Sequence, residues 1–267
     1  MIIEIIKSIL LGIVQGITEW LPISSTGHLI IFESFLQMNF QKEFIDTFFV
    51  VIQLGSILAV IILFFNKINP FQKNKEEVKN KISLWLKIII ASIPVAICGF
   101  LFEDKIDELL YNPFVVAVML ILFGIVILLV EKHKQRFVIE DIKDITFKVA
   151  FFIGVFQVLA LIPGTSRSGA TIVGALILGL SRKSASEFSF ILAIPALLGA
   201  GILKLLKMGL AFSLTEWIIL IIGLVTAFIV SILVIKLILN YIKKHDFKVF
   251  GYYRIILGII ILLFFIS

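Results

Sequence analysis

The chain has 267 residues, of which 60% are hydrophobic, whereas a soluble domain is typically about 45–50% apolar. This excess excludes an ordinary soluble domain. Apolar runs near the roughly 20-residue spanning length recur along the chain, which predicts an all-α, polytopic integral membrane protein. The formal net charge is +6, but most Lys residues fall in short loops, where they set membrane orientation, so we expect no nucleic-acid partner. The single Cys98 excludes an intramolecular disulfide.

The chain begins with two apolar runs, residues 2–18 and 29–37, that are too short to cross a bilayer comfortably. They flank the polar stretch 19–28, which contains Pro, Ser and Gly. This arrangement predicts a re-entrant hairpin, because irregular backbone at membrane depth must be buried in protein or line a cavity. Glu4 and Lys7 interrupt the first run, so we do not expect a cleavable signal peptide.

Three full spans are predicted after this hairpin, at about residues 44–66, 84–102 and 113–131. The loops 67–83 and 132–148 are rich in basic residues, whereas the loop 103–112 is acidic. Positively charged loops are cytoplasmic as a rule, so the acidic loop and the first hairpin are expected on the outer side.

The second half repeats this plan. Two short apolar runs, 149–162 and 169–180, flank the polar stretch 163–168 and predict a second re-entrant hairpin. Three more spans are predicted at about residues 185–203, with a kink at Pro195, 216–239 and 250–266. The basic loop 243–248 is expected inside, so the second hairpin enters from the cytoplasm, although Lys204 and Lys207 would then lie outside.

The two halves also match in sequence, since Gly12-Ile13-Val14-Gln15 parallels Gly154-Val155-Phe156-Gln157. We therefore predict a first repeat over residues 1–131, a cytoplasmic linker over 132–148 and a second, inverted repeat over 149–267. Inverted repeats of this kind place a functional site at the repeat interface and build it from broken helices.

Glu19 is the first candidate site residue. It lies four residues after Gln15, so both side chains share one face of a helix. A carboxylate at membrane depth is costly and is a functional candidate by default. The alternative is that Glu19 lies at the headgroup boundary, with Trp20 as an interfacial anchor.

Three hydroxyl residues, Ser24, Ser25 and Thr26, precede a short helix and either cap it or bind a phosphate at its N-terminus. Ser25 and His28 are three residues apart, so one helical turn brings a hydroxyl near an imidazole. A nucleophile beside a base is the minimum arrangement for covalent catalysis. His28 could equally bridge two helices by hydrogen bonding.

The second polar stretch contains Thr165, Ser166, Arg167 and Ser168, just before another short apolar helix. Arginine is always charged and its planar donors suit phosphate oxygens, and the hydroxyls and the helix N-terminus add further donors. The alternative is an Arg167 side chain that extends to the lipid headgroups. Thr171 extends the donor set or bonds to its own helix backbone.

Other polar residues in or near apolar runs are weaker candidates. Gln53 and Gln157 serve either as site residues or as hydrogen-bonded contacts between helices. Glu187 is expected to form a salt bridge at the membrane boundary, and Ser189 carries little information by itself. No Walker loop, HExxH or CxxC motif occurs. One acid, one arginine, one histidine and several hydroxyls suit removal of a phosphoryl group, which asks mainly for positioning and charge neutralisation.

These residues closely resemble the undecaprenyl-diphosphate phosphatase family of bacitracin-resistance membrane proteins. The resemblance covers essentially the whole chain and is carried by Gln15-x-x-x-Glu19, Leu21-Pro22-Ile23-Ser24-Ser25-Thr26-Gly27-His28, Pro163-Gly164-Thr165-Ser166-Arg167-Ser168-Gly169-Ala170-Thr171, and the blocks 52–60 and 185–190. Gln15 stands where many members carry Glu, which shifts the expected acid to Glu19.

The resemblance implies hydrolysis of undecaprenyl diphosphate, a polyprenyl lipid, in the bacterial plasma membrane, with a site open to the outer face. It also implies a divalent cation, Mg²⁺ or Ca²⁺, for which Glu19 is the candidate ligand. We expect Arg167 to clamp the diphosphate and Ser25 to attack it with His28 as base; direct attack by water is the competing version. A lipid flippase with the same inverted repeats is the rival function, and a homodimer is an open prediction.

Overall fold

The computed structural model describes residues 1–133, 137–208 and 212–265. Within these ranges the regular structure is helical, apart from one isolated bridge between Ile139 and Leu180. The predicted all-α class is confirmed. No β-strand ladder is found in the described part of the chain.

The described helices follow the predicted order. In the first half they are α1 (Ile2–Thr18), α2 (Ser25–Leu36), α3 (Lys42–Leu63), α4 (Phe65–Ile68), α5 (Lys75–Leu110) and α6 (Pro113–Lys132). In the second half they are α7 (Phe147–Val158), α8 (Arg167–Ile177), α9 (Arg182–Met208), α10 (Leu214–Tyr241) and α11 (Lys248–Phe265).

Four of the described helices, α3, α5, α6 and α10, are long and apolar enough to cross a membrane. They coincide with the first, second, third and fifth predicted spans, and the protein is a membrane protein. The fourth predicted span lies within α9. The sixth lies on α11, and its last residue, 266, is outside the described ranges.

The two short helix pairs, α1/α2 and α7/α8, coincide with the predicted hairpins. Their second helices begin earlier than expected, α2 at Ser25 rather than at 29 and α8 at Arg167 rather than at 169. Serine caps explain the difference, because Ser24 Oγ accepts the amide of Gly27 at 3.3 Å and Ser166 Oγ accepts the amide of Gly169 at 3.1 Å. The last residues of each polar stretch therefore belong to the first turn of a helix.

Helix α5 extends beyond the predicted second span, 84–102, in both directions. It includes part of the predicted basic loop, 67–83, and most of the predicted acidic loop, 103–112. The prediction of loops at these positions was wrong, because the charged residues continue the helix beyond the apolar span. Lys and Glu are good helix formers, and a helix-stopping sequence comes only at Asn112-Pro113. There Asn112 caps α6 by accepting the amide of Val115 at 3.0 Å.

The predicted linker, 132–148, is only partly solvated. Ile142 and Ile145 are buried in the main hydrophobic core, and Ile139 forms the isolated bridge with Leu180. Residues 134–136 of this linker lie outside the described ranges.

The two halves make corresponding helix contacts, with α1 packed on α10 and α7 packed on α5. Glycines allow both contacts. A Cβ on Gly12 would lie 2.8 Å from the carbonyl oxygen of Gly223, and one on Gly154 would clash with the carbonyl oxygen of Ala91. A repeated structure predicts this correspondence between the two halves. The bounds of the two repeats, at residues 131 and 149, and their opposite orientations in the membrane stay predictions.

Gly154→Ala is expected to lower the free energy of unfolding by about 1–3 kcal/mol, because the added methyl group meets backbone that cannot rotate away. Thermal unfolding in detergent measures the change. Gly199→Ala is the matched control, since no atom lies within 4 Å of its added Cβ and alanine favours the helix. Equal unfolding temperatures for the two variants would contradict the close contact between α7 and α5.

Candidate active site

The loops of the two hairpins share an unusual backbone turn. Ser24 and Ser166 are the cap residues of α2 and α8, and both have left-handed backbone angles, with φ of 73° and 74°. Non-glycine residues rarely adopt this region, and such strain concentrates at functional sites. The same number of residues separates Ser24 from Ser166 as separates Gln15 from Gln157.

Glu19 joins the two loops through both carboxylate oxygens. Its Oε1 accepts a hydrogen bond from Arg167 Nη2 at 2.9 Å in a buried ion pair. Its Oε2 accepts from Gln15 Nε2 at 3.0 Å and from Ser25 Oγ at 2.9 Å. Only 6% of Glu19 is exposed, so the carboxylate lies inside the protein rather than at a headgroup boundary. Gln15 therefore orients the Glu19 carboxylate by donating a hydrogen bond to it, and its own amide side chain is not an acid.

The base that is hydrogen-bonded to Ser25 is Glu19. The Ser25–Glu19 distance is in the range of a nucleophile paired with its base, and Arg167 orients that base as a third group. His28 instead reaches back along the first turn of α2, with Nδ1 2.7 Å from the Ser24 carbonyl oxygen. Its Nε2 lies 2.6 Å from the Tyr253 hydroxyl. The expected Ser25–His28 hydrogen bond is thus replaced by two others.

The hydroxyl groups of the second loop hold the backbone in place. Ser168 Oγ lies 3.2 Å from the Glu19 carbonyl oxygen and 3.0 Å from that of Leu21, so it ties α8 to the first loop. Thr171 Oγ1 donates to the Arg167 carbonyl at 2.9 Å, which is the helix-backbone alternative, and it also lies 2.6 Å from Ser189 Oγ. Ser189 therefore belongs to the site.

Arg167 is the first residue of α8 and its side chain is only 12% exposed, so it does not extend to the headgroups. Nη1 donates to the Ser189 carbonyl at 2.9 Å, and the guanidinium carbon lies 5.4 Å from the centre of the Trp20 ring. Its Nε is buried without a hydrogen-bond partner. The Nε–H group of this charged side chain is therefore free to donate a hydrogen bond to a bound ligand.

Arg254 in α11 contacts both hairpin loops, and the sequence reasoning missed it. It is fully buried and donates to carbonyls of both hairpin loops, to Pro22 at 3.1 Å, Gly164 at 2.8 Å and Thr165 at 2.9 Å. Among the described residues no carboxylate pairs with it. A lone arginine inside a predicted span was the signal that could have found it, because intramembrane charges are functional candidates.

Several predicted side chains form no hydrogen bond within this cluster. In the described structure, Thr26 and Gln53 are half-buried and form no hydrogen bond with it, while Thr165 Oγ1 and both polar atoms of Gln157 are buried without partners. Glu187 pairs with Lys67 at 2.6 Å, so it does form a salt bridge. The described residues contain no group of three His, Cys, Asp or Glu that could hold a metal ion by themselves.

The fold and the cluster define a polytopic helical membrane protein with a hydroxyl, a carboxylate and an arginine enclosed between two helical hairpins. The family model of bacitracin resistance protein BacA matches residues 8–260, and the chain belongs to this family. It is 58% identical to undecaprenyl-diphosphatase 1 of Clostridioides difficile over 99% of this chain and 97% of the relative.

Two further relatives agree over similar lengths. The chain is 55% identical to an undecaprenyl-diphosphatase of Enterococcus faecalis, covering 98% of this chain and 97% of the relative. It is 53% identical to an undecaprenyl-diphosphatase of Acetivibrio thermocellus, covering 99% of each.

Arg254→Lys is expected to loosen both hairpin loops, because a compact ammonium group cannot reproduce the guanidinium fork, in which Nη1 reaches one loop and Nη2 the other. Amide hydrogen exchange should rise in segments 20–25 and 163–168 together, by roughly the five- to tenfold that corresponds to about 1 kcal/mol of lost hydrogen bonding. Lys244→Met at an exposed position is the control. Faster exchange in only one of the two loops would contradict the joint anchoring.

Proposed function

We propose that this protein hydrolyses undecaprenyl diphosphate to undecaprenyl phosphate and inorganic phosphate. The observation that carries the proposal is the contact of Ser25 with Glu19, itself paired with Arg167, in a chain of the BacA family. The product would be the lipid carrier in the form that cell-wall synthesis reuses, and its recycling would support bacitracin resistance.

The surroundings of Arg167 suit the terminal phosphate group. Arg167 Nε, Thr165 Oγ1 and Trp20 Nε1 are buried polar groups without partners, and each can donate a hydrogen bond. They accompany the N-terminus of α8, which favours anions. The charge of Arg254 adds to this field, since Glu19 pairs with Arg167 and, among the described residues, no carboxylate pairs with Arg254.

The proposed reaction proceeds in two displacements. Ser25 Oγ attacks the terminal phosphorus while its proton passes to the Glu19 carboxylate at 2.9 Å. The bond from that phosphorus to the bridging oxygen breaks, and undecaprenyl phosphate leaves. Glu19 passes its proton to the departing undecaprenyl phosphate and is again a carboxylate. Water then attacks the phosphorus of the phosphoserine while Glu19 takes a proton from it. The bond from phosphorus to Oγ breaks, Glu19 returns the proton to Oγ, and inorganic phosphate leaves. Arg167 neutralises the charge on the transferring group in both steps.

A divalent cation fits this donor set only together with the substrate. Glu19 is the one carboxylate in the cluster, the Gln15 Oε1 atom is buried without a partner, and Ser25 offers a hydroxyl oxygen. These are hard oxygen donors of the kind that Mg²⁺ and Ca²⁺ prefer, and Mg²⁺ is commonly held by one or two carboxylates plus substrate phosphates. When bound, the cation would neutralise charge on the diphosphate, and Glu19 and Gln15 are the residues that would hold it.

We place the site on the outer side of the bacterial plasma membrane, as the basic loops predict. The cluster residues all come from one chain, so the proposed reaction does not need the homodimer that remains a prediction. A flippase acting on the same lipid would release no phosphate, so a phosphate-release assay with purified protein in detergent separates the two functions.

Ser25→Ala and Arg167→Ala are each expected to lower phosphate release by at least about a hundredfold, because one removes the nucleophile and the other leaves the transition-state charge unpaired. Ser92→Ala is the matched control, since its hydroxyl bonds only to the Ile88 carbonyl in α5. Normal turnover of Arg167→Ala would refute the phosphate clamp.

The covalent step has a separate test. Rapid acid quenching during turnover is expected to trap a phosphate ester on Ser25, detectable by mass spectrometry. Direct attack by water predicts no ester and a Ser25→Ala protein with near-normal turnover.

Removal of divalent cations with EDTA is expected to abolish most phosphate release, and Mg²⁺ or Ca²⁺ should restore it. Glu19→Gln should raise the Mg²⁺ concentration needed for half-maximal activity, in addition to lowering turnover, because a neutral amide is a weaker ligand. Turnover that is unchanged in EDTA would count against the cation.

A further inference from the structure

Tyr253 in α11 makes the second hydrogen bond of the His28 ring. The phenol oxygen lies 2.6 Å from His28 Nε2, and the two rings are nearly parallel, at 3° with centroids 5.6 Å apart. His28 is buried, whereas Tyr253 is 43% exposed. The sequence reasoning did not single out Tyr253, and the mechanism above assigns it no part.

The partners of the ring determine which nitrogen carries the proton. Nδ1 lies 2.7 Å from the backbone carbonyl oxygen of Ser24, and a carbonyl can only accept, so Nδ1 must carry hydrogen. In the neutral ring, Nε2 then holds the lone pair and the Tyr253 hydroxyl donates to it. The Ser24 carbonyl thus sets the Nδ1–H form, and Tyr253 supplies the hydrogen bond that holds the other nitrogen of the ring in place.

This chain of hydrogen bonds ends beside the nucleophile. The Ser24 carbonyl belongs to the peptide group that joins Ser24 to Ser25, and Ser24 holds its strained left-handed φ of 73° at that point. A ring in the other tautomer would direct a lone pair at the carbonyl oxygen and lose the bond. The orientation of the Ser25 peptide therefore depends on His28, and that of His28 on Tyr253.

We propose that Tyr253 is a positioning residue for the reaction, holding the His28 ring through Nε2 so that His28 fixes the turn that presents Ser25. This inference rests on the proposed phosphatase function for its kinetic consequence. The hydrogen bonding of the ring is a property of the resting protein and is measured without substrate.

The experiment compares Tyr253→Phe, His28→Ala and the double variant with the wild-type chain, purified in detergent. Histidine ¹⁵N spectra report the tautomer, and His28→Ala identifies the His28 signals among those of the three histidines. Phosphate release from undecaprenyl diphosphate with Mg²⁺ gives kcat and KM. Tyr252→Phe is the matched control. Tyr252 is the residue next to Tyr253, its side chain is 57% exposed, and the ring that contacts His28 is that of Tyr253.

We expect Tyr253→Phe to keep the Nδ1–H form but to shift the ¹⁵N resonance of Nε2, because its lone pair loses the hydroxyl donor. The same variant should lower kcat roughly three- to tenfold, with little change in KM, as expected for loss of one buried hydrogen bond. Tyr252→Phe should change neither. In the His28→Ala background, Tyr253→Phe should cause no further loss, because residues that act through one another are not additive.

An unchanged His28 Nε2 resonance in Tyr253→Phe would overturn the proposal, as would an equal loss of kcat with and without His28. If His28→Ala has no measurable turnover, the ¹⁵N spectra decide. Failure of the phosphatase function would appear differently, as absent phosphate release in the wild-type protein or as normal turnover of Ser25→Ala. In that case the ¹⁵N spectra would still test the hydrogen bond between Tyr253 and His28.

Discussion

The buried ion pair between Glu19 and Arg167 is the contact on which the site depends. Two hairpins that are far apart in sequence meet through it, and Ser25 takes its hydrogen-bond acceptor from the same carboxylate. Burying both charges is costly, and removing either partner from such a pair typically costs about 3–5 kcal/mol because the other is left unpaired. The pair therefore makes the presence of one hairpin a condition for the correct placement of the other.

Helix α11 contacts both hairpin loops and holds them in place. Arg254 donates to backbone carbonyls of both loops, and Tyr253 holds the ring that bonds to the Ser24 carbonyl. Neutral carbonyls satisfy the Arg254 donors without cancelling its charge, so the same side chain that fixes the loops also leaves the enclosed site positive. Stability of the loops and affinity for an anion thus have one physical origin here.

Sequence reasoning predicted the short helix pairs and named Glu19, Ser25 and Arg167, which the structure brings into contact. Apolar run length and isolated polar residues in membrane segments are strong local signals. It paired Ser25 with His28 from their spacing, whereas the structure pairs Ser25 with Glu19. Helical spacing shows which side chains are near but not where each points, and the Ser24 cap decided that. Arg254 was missed because its partners are backbone carbonyls distant in sequence, and α5 was underestimated because charged residues form helices as well as loops.

The equal turns at Ser24 and Ser166 have a further consequence for how such a site can arise. The residue that follows the turn is the hydroxyl-bearing Ser25 in one hairpin and the cationic Arg167 in the other. An assembly of two identical hairpins would present either two serines or two arginines at these places, and never one of each. Joining the two in a single polypeptide lets each copy of the turn change independently, so a nearly symmetric scaffold can hold an asymmetric reaction.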